Sequence, residues 1–389
     1  LKINPADRIS DFKPYFFAQL NNRIEELKRQ GVDVIRLDMG SPDLPPDDHI
    51  IDSLINSARR SDSHGYSTMG GTPAFKKAVA EYYSRRYGVS LDFKKEILAL
   101  IGSKEGIFNL SQVILNPGDY ALIPDPGYPV YRSSAMIAEA KPYPVPLLRI
   151  NGYLPKFEDI PTEIAQASKI LWLNYPNNPT GASASLAFFQ KAVEFASNFN
   201  ILIAHDAPYM EVTFDGSLAP SILQVPGSKE NSVEFNSLSK TYNMAGWRLG
   251  MAVGNPDVLQ LLHTYKSQVD SSQFLPVIEA GVSALTGDQE WIFGRNEIYR
   301  ERRDIVVRGL KKTKMVVDTP SAGLYVWFAT PSKYGYCAAF CEALLDETGV
   351  SITPGSVYGD FGEGFARISL VTETARMAEA MNRLVNWLE

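Results

Sequence analysis

Cysteine and histidine are scarce in this chain, and no apolar run approaches the length of a membrane span. Its 389 residues hold only two cysteines and four histidines. Two thiols cannot frame a disulfide-stapled domain, and such sparing use implies a reducing compartment, the cytoplasm. Cys337 and Cys341 stand four apart in "YGYCAAFCEALL", which puts both on one helix face among alanines and a phenylalanine. A metal site needs more ligands and no histidine is near, so the pair reads as core packing. Positive charge is also short: 38 Lys and Arg against 44 Asp and Glu leave a net charge of −6. That balance argues against nucleic acid or an anionic membrane as main partner. The basic stretches "RERRD" (300–304) and "KKTK" (311–314) are expected on the solvated face of a helix and in the turn after it. The opening "LKINPADRISDFKPYF" lacks an apolar core followed by a cleavage site, so no export signal is expected in it.

Hydrophobic content of 45% with 21% charged residues is that of a globular protein with a sizeable core. The length implies two domains, or one large domain with a smaller partner. "EILALIG" (96–102), "DYALIPDP" (119–126), "KILWLNYP" (169–176), "NILIAHDAPY" (200–209), "SVEFNSLSK" (232–240) and "LGMAVGN" (249–255) are short, apolar and bounded by Gly, Pro, Asn or Asp, so they read as strands. Helical patterns such as "SLAFFQKAVEFASNF" (185–199) lie between several of them. This alternation predicts an α/β fold with a mostly parallel sheet flanked by helices, and ligands beyond the carboxyl ends of its strands. After about residue 275 the spacing widens into a smaller α+β domain. The expected division is an N-terminal segment (1–45) packing with the small domain, a large domain (46–275) and the small domain (276–389).

"SLSKTYNMAGWRLG" (237–250) sets Lys240 at the end of a buried strand, where burial disfavours the ammonium. A neutral amine forms a Schiff base with an aldehyde. Ser237 and Arg248, with Gly246 and Gly250 permitting close backbone approach, can hold a phosphate dianion. Phosphate and aldehyde together point to pyridoxal phosphate. That cofactor needs a carboxylate for its ring nitrogen, and Asp206 ends the strand "ILIAHD". It needs donors for its phenolic oxygen, and Tyr209 and Asn178, in "NYPNNPTG", are candidates. In "LIGSKEGIFNL" a helix start at Ser103 offers free N–H groups to an anion, with Lys104 beside it. Tyr128 in "DPGYPVY" can stack on the ring. Taken singly, each has an ordinary structural reading: a helix cap for Asp206, a turn for "NNPTG", core filling for Tyr128. Taken together they call for one explanation.

These stretches, with "KPYFFAQL", "GSPDLPP" and "GEGFARISL", resemble class I/II, fold-type I pyridoxal-phosphate aminotransferases over essentially the whole chain. They are most similar to the LL-diaminopimelate aminotransferases and the related alanine and glutamate aminotransferases. The resemblance implies that Lys240 carries the cofactor and shuttles a proton, with Asp206 and Tyr209 as its catalytic companions. It implies Ser103, Lys104, Ser237 and Arg248 at the phosphate, Tyr128 on the ring, and Asn178 and Tyr209 at the phenolic oxygen. It assigns Arg367, in "ARISL", to the substrate carboxylate, with Gly40, Asn178 and the segment around Tyr15 nearby. It gives Tyr66, in "GYSTMGG", to the phosphate of a neighbouring subunit, so a homodimer is expected. Two positions depart from the pattern: Asn236, where many relatives have histidine, and Pro208, where a small residue is expected. The implied reaction moves an amino group from an amino acid to a 2-oxo acid, LL-diaminopimelate and 2-oxoglutarate first among the pairs. Alanine or glutamate donors, and a C–S lyase built on the same residues, are the alternatives.

Overall fold

The short apolar runs read from the sequence become strands of one sheet. The computed structural model describes residues 3–10, 12 and 16–389. Among them are twelve strands: β1 (Ile35–Arg36), β2 (Ile97–Leu100), β3 (Tyr120–Asp125), β4 (Lys141–Pro146), β5 (Ser168–Asn174), β6 (Leu202–Asp206), β7 (Ser232–Ser237), β8 (Gly250–Gly254), β9 (Tyr325–Ala329), β10 (Val350–Ser351), β11 (Thr353–Pro354) and β12 (Phe365–Ser369). Seven form one sheet in the order β2-β8-β7-β6-β5-β3-β4. The strands from β7 to β4 run parallel, whereas β8 is antiparallel to both β7 and β2. β4 was not among the expected strands, because "KPYPVP" carries three prolines. Proline cannot donate to a ladder, and β4 sits at the sheet edge, where one side needs no donors.

Both faces of this sheet are covered, so its strands are continuous apolar runs rather than alternating ones. β5 shows the division: Leu171 and Leu173 enter one core with Phe75, Tyr83 and Phe189, and Ile170 and Trp172 enter another with Leu110, Tyr131 and Phe235. The covering helices are bounded as the sequence suggests. Leu186–Phe199 starts where the Ser185 side chain accepts from the Phe188 N–H, and ends at Asn200 in the left-handed conformation (φ 55°).

A second sheet, β11-β12-β9, is antiparallel and packs a third core with Tyr299, Val306, Phe340 and Leu384. β1 pairs in parallel with β10, Ile35 facing Val350, and so joins the N-terminal part of the chain to these C-terminal strands. One expectation is corrected here. Arg302, in the basic stretch expected to face solvent, is 2% exposed. Its guanidinium holds Asp43 through two bonds of 2.8 and 2.9 Å and donates to the Leu370 carbonyl. The long helix Trp291–Lys312 turns that face inward, and a charge buried there needs its acid. Cys337 and Cys341 are buried free thiols on the helix Cys337–Thr348. Among the described residues no helix is long and apolar enough to cross a membrane.

For the site, one feature of the sheet matters most. The parallel register sets Asn174 beside Asp206 and Asp206 beside Phe235, so the carboxyl ends of β5, β6 and β7 open on one place.

Candidate active site

β7 ends at Ser237, whose side chain accepts from the Ser239 N–H at 3.2 Å and starts the short helix Leu238–Thr241. That turn aims Lys240 into a cavity of about 510 Å³. The carbonyls a helix C-terminus leaves unpaired are satisfied by Arg295, which donates to Lys240 O at 2.8 Å and to Thr241 O. The ammonium donates to the Gly40 carbonyl. Burial, aided by Arg248 and Arg367 and opposed by Asp206, pushes the lysine down to about 8. A half-buried lysine so placed gives up its proton readily and becomes a nucleophile.

Asp206, at the end of β6, is 4% exposed. Its Oδ2 accepts the Tyr131 hydroxyl at 2.6 Å, while Oδ1 is buried with no hydrogen-bond partner. Burial raises this carboxyl to about 6, against the lowering effects of Tyr131, His205 and Lys240. The helix-cap reading of Asp206 is thus set aside, since its side chain turns to Tyr131. The Tyr131 ring is fixed by stacking on Trp172 at 4.9 Å. An orphaned buried carboxylate oxygen is costly unless something fills its place, and a protonated ring nitrogen is the partner it suits.

The other end of the cavity gathers groups that suit an anion. Ser103 opens the helix Ser103–Ile114 behind Gly102, whose φ of 73° strains any side chain and where a Cβ would push the Arg248 guanidinium aside. Gly250 is as tight, since a Cβ there would stand 2.8 Å from Ser103 N. Ser103, Lys104, Ser237 and Arg248 line this end. Burial and the neighbouring Arg248 lower the Lys104 ammonium, the mark of two cations held close, which a dianion relieves.

On the third side, Arg367 of β12 is 3% exposed. It donates to Asn178 Oδ1 at 2.9 Å and to the Asp38 carbonyl at 2.7 Å, and its Nε has no partner. Its guanidinium lies 4.1 Å from the Tyr325 ring centre and 5.0 Å from that of Tyr358. Among the described residues no carboxylate pairs with it. A buried fork of donors in that state suits an incoming carboxylate. Tyr209 lines the same cavity, its hydroxyl 2.9 Å from that of Tyr325.

Most residues singled out in the sequence therefore meet: Gly40, Ser103, Lys104, Tyr128, Asn178, Asp206, Tyr209, Ser237, Lys240, Arg248 and Arg367 all line one cavity. Tyr66 does not; it is 93% exposed, on a segment held by Ser67 bonds to Ser272 and Gln273. Tyr15 lies outside the described residues, although its neighbour Phe17 lines the cavity. Of the two departures, Pro208 lines the cavity, whereas Asn236 turns its amide towards Tyr83 and Met210. Tyr131, Arg295, Tyr325 and Tyr358 were missed. Tyr131 alone left a trace, three positions after Tyr128 in "YPVY", the spacing of one helix face.

The mostly parallel sheet, the half-buried lysine just past the carboxyl end of β7 and the carboxylate with an unpartnered oxygen define a fold-type I pyridoxal-phosphate enzyme. Residues 32–384 match the family described as aminotransferase class I and II, and the chain belongs to it. It is a transaminase that uses pyridoxal 5'-phosphate. Among curated relatives, the LL-diaminopimelate aminotransferase of Moorella thermoacetica is 48% identical, covering 97% of each chain. That of Desulforudis audaxviator is 46% identical over 97% of this chain and 96% of its own. Among solved structures, substrate-bound BacF from Bacillus subtilis superposes with a TM-score of 0.95 at 36% identity, covering 100% of this chain and 98% of its own.

Proposed function

We propose that the enzyme moves an amino group from LL-diaminopimelate to 2-oxoglutarate. The observation that carries the donor is the near full-length likeness, 43–48% identical, to aminotransferases named for that substrate. Bound pyridoxal phosphate supplies an aldehyde carbon and an electron-withdrawing ring that acidifies the substrate α-carbon. Asp206 Oδ1 keeps a proton on the ring nitrogen, which its vacancy and the Tyr131 bond on Oδ2 support. Asn178 and Tyr209 would hydrogen-bond the phenolic oxygen, Tyr128 would stack on the ring, and Ser103, Lys104, Ser237 and Arg248 would hold the phosphate. Lys240 would carry the cofactor and, with its amine free, would shuttle the proton between the substrate α-carbon and C4′ of the cofactor; its lowered basicity supports that role. Arg367 clamps the α-carboxylate against the backbone at Gly40, in both half-reactions, with selection of the side chain left to the segment around Tyr15.

The same reading makes the enzyme a cytoplasmic homodimer in which Tyr66 reaches the neighbouring subunit's phosphate. The exposure of that ring, clear of its own cavity, supports it. It also divides the chain into segment 1–45, large domain 46–275 and small domain 276–389, which the pairing of β1 with β10 supports.

The test is the visible spectrum of the holoenzyme mixed with LL-diaminopimelate and no oxo acid. Loss of the cofactor band with release of the 2-oxo acid is expected. A band that persists here but bleaches with alanine or glutamate rejects this donor for those. With a β-thio amino acid as substrate, release of a thiol, pyruvate and ammonia without an acceptor would make the enzyme a C–S lyase.

A further inference from the structure

Tyr325 has no part in the roles above, yet it touches three of the residues that carry them. It is 2% exposed at the start of β9. Its ring lies beneath the Arg367 guanidinium, 4.1 Å from centre to Cζ. Its hydroxyl stands 2.9 Å from that of Tyr209, the two rings meeting edge to face at 78°. Gly40 closes over it so tightly that a Cβ there would fall 2.6 Å from the Tyr325 hydroxyl oxygen. The hydroxyl is thus fixed between Gly40 and the Tyr209 hydroxyl, and either phenol of that pair can be the donor.

We propose that Tyr325 is a positioning residue that tunes the phenolic oxygen of the bound cofactor through Tyr209. A phenol has one proton. If Tyr209 gives its own to the cofactor, its oxygen can only accept from the other side, and the donor placed there is Tyr325. Burial holds Tyr209 well above its ordinary value, so it stays a donor. Two hydroxyls donating in series polarise one another, and the second bond strengthens the first. The cation over the Tyr325 ring draws electron density from it and makes its O–H a better donor. The site that takes the substrate carboxylate is thereby wired, through one ring, to the electronics of the cofactor.

The inference rests on Tyr209 meeting the phenolic oxygen, so the experiment tests both. The pH midpoint of the visible band is measured for holoenzyme as wild type, Tyr209→Phe, Tyr325→Phe and the double variant, without substrate. Tyr325→Phe keeps the ring under Arg367 and removes one oxygen. A donor to the phenolic oxygen favours its ionised form, so losing the donor raises the midpoint. Tyr209→Phe is expected to raise it by about one unit or more. Tyr325→Phe alone is expected to raise it by roughly 0.3 unit, and to add nothing in the Tyr209→Phe background. A shift in Tyr209→Phe with none in Tyr325→Phe would overturn the inference and leave the Tyr209 assignment standing. A Tyr325→Phe shift that persists without the Tyr209 hydroxyl would overturn it too, by revealing another route. No shift in Tyr209→Phe would remove the assignment itself and the inference with it.

Discussion

Tyr131→Phe is expected to loosen the cofactor as well as the fold. The ring is kept, so its stacking on Trp172 survives and no cavity opens. What goes is one buried hydroxyl donating at 2.6 Å to a carboxylate. A hydrogen bond of that charged kind is worth about 1.5–3 kcal/mol, and here its loss leaves Oδ2 buried and unpaired. Tyr131 is the foremost of the influences that hold Asp206 down against burial, so the carboxyl, now at about 6, climbs further. At 1.36 kcal/mol per unit the climb is roughly one to two units.

The sign follows from which form each state prefers. In the cofactor-free protein Asp206 is raised above its ordinary 3.8, so the folded form tolerates the neutral acid better than the charged one. The variant's loss is therefore full above its own raised value, shrinks as pH falls from there towards about 6, and is gone below, where the acid is neutral in both proteins. Binding a protonated ring nitrogen demands the carboxylate, so affinity for pyridoxal phosphate suffers where that ion is hardest to form. The dissociation constant, followed by quenching of tryptophan fluorescence, should rise about tenfold near neutrality, the equivalent of 1.4 kcal/mol. The wild-type value should be approached again in mild alkali. Equal affinity and an identical pH profile in the two proteins would refute the argument that Tyr131 keeps Asp206 charged.

Other consequences are as open to measurement. Uptake of pyridoxal, the aldehyde without its phosphate, by the cofactor-free enzyme should rise with pH to a plateau with a midpoint near 8, because the neutral Lys240 amine is the nucleophile. A midpoint near the ordinary 10.5 would mean that burial does not act on this lysine as argued. Gly102→Ala drives a Cβ into the Arg248 guanidinium at a φ of 73°. It should weaken pyridoxal phosphate by about tenfold or more, at roughly 1–2 kcal/mol for the backbone alone, and leave pyridoxal uptake nearly unchanged. Equal losses for both aldehydes would place the phosphate elsewhere. Arg367→Lys keeps the charge and loses the fork, so KM for the amino acid should rise about tenfold or more while the cofactor spectrum stays as it was. A spectrum altered with KM intact would sever Arg367 from the substrate carboxylate.

Much of this enzyme was legible in its sequence, and what was legible shares a cause. Strands buried on both faces leave a plain trace, a short apolar run stopped by Gly, Pro or Asp, and six such runs became β2, β3, β5, β6, β7 and β8. Residues at the carboxyl ends of those strands, Asp206 and Ser237 with Lys240 just beyond, stand out because a polar group there contradicts the run before it. The antiparallel course of β8 and the proline-bearing edge strand β4 left no such trace. Both depend on what lies alongside, and a linear pattern does not carry that.

The partners were decided in space alone. Tyr131 reaches Asp206 across 75 positions and Arg367 reaches Asn178 across 189, and nothing in either neighbourhood marks the pairing. Arg302 read as a surface charge until the fold brought Asp43 to it. The sequence by itself picked out groups that the fold gathers in one cavity: an amine, a carboxylate, a guanidinium and a cluster of hydroxyls and cations. Tertiary structure settled how basic the amine is, which carboxylate oxygen is left open, and which phenol stands behind Tyr209. Residue type fixes what a group can donate or accept, whereas its pKa and its vacancy depend on burial and neighbours, and those exist only once the chain has folded.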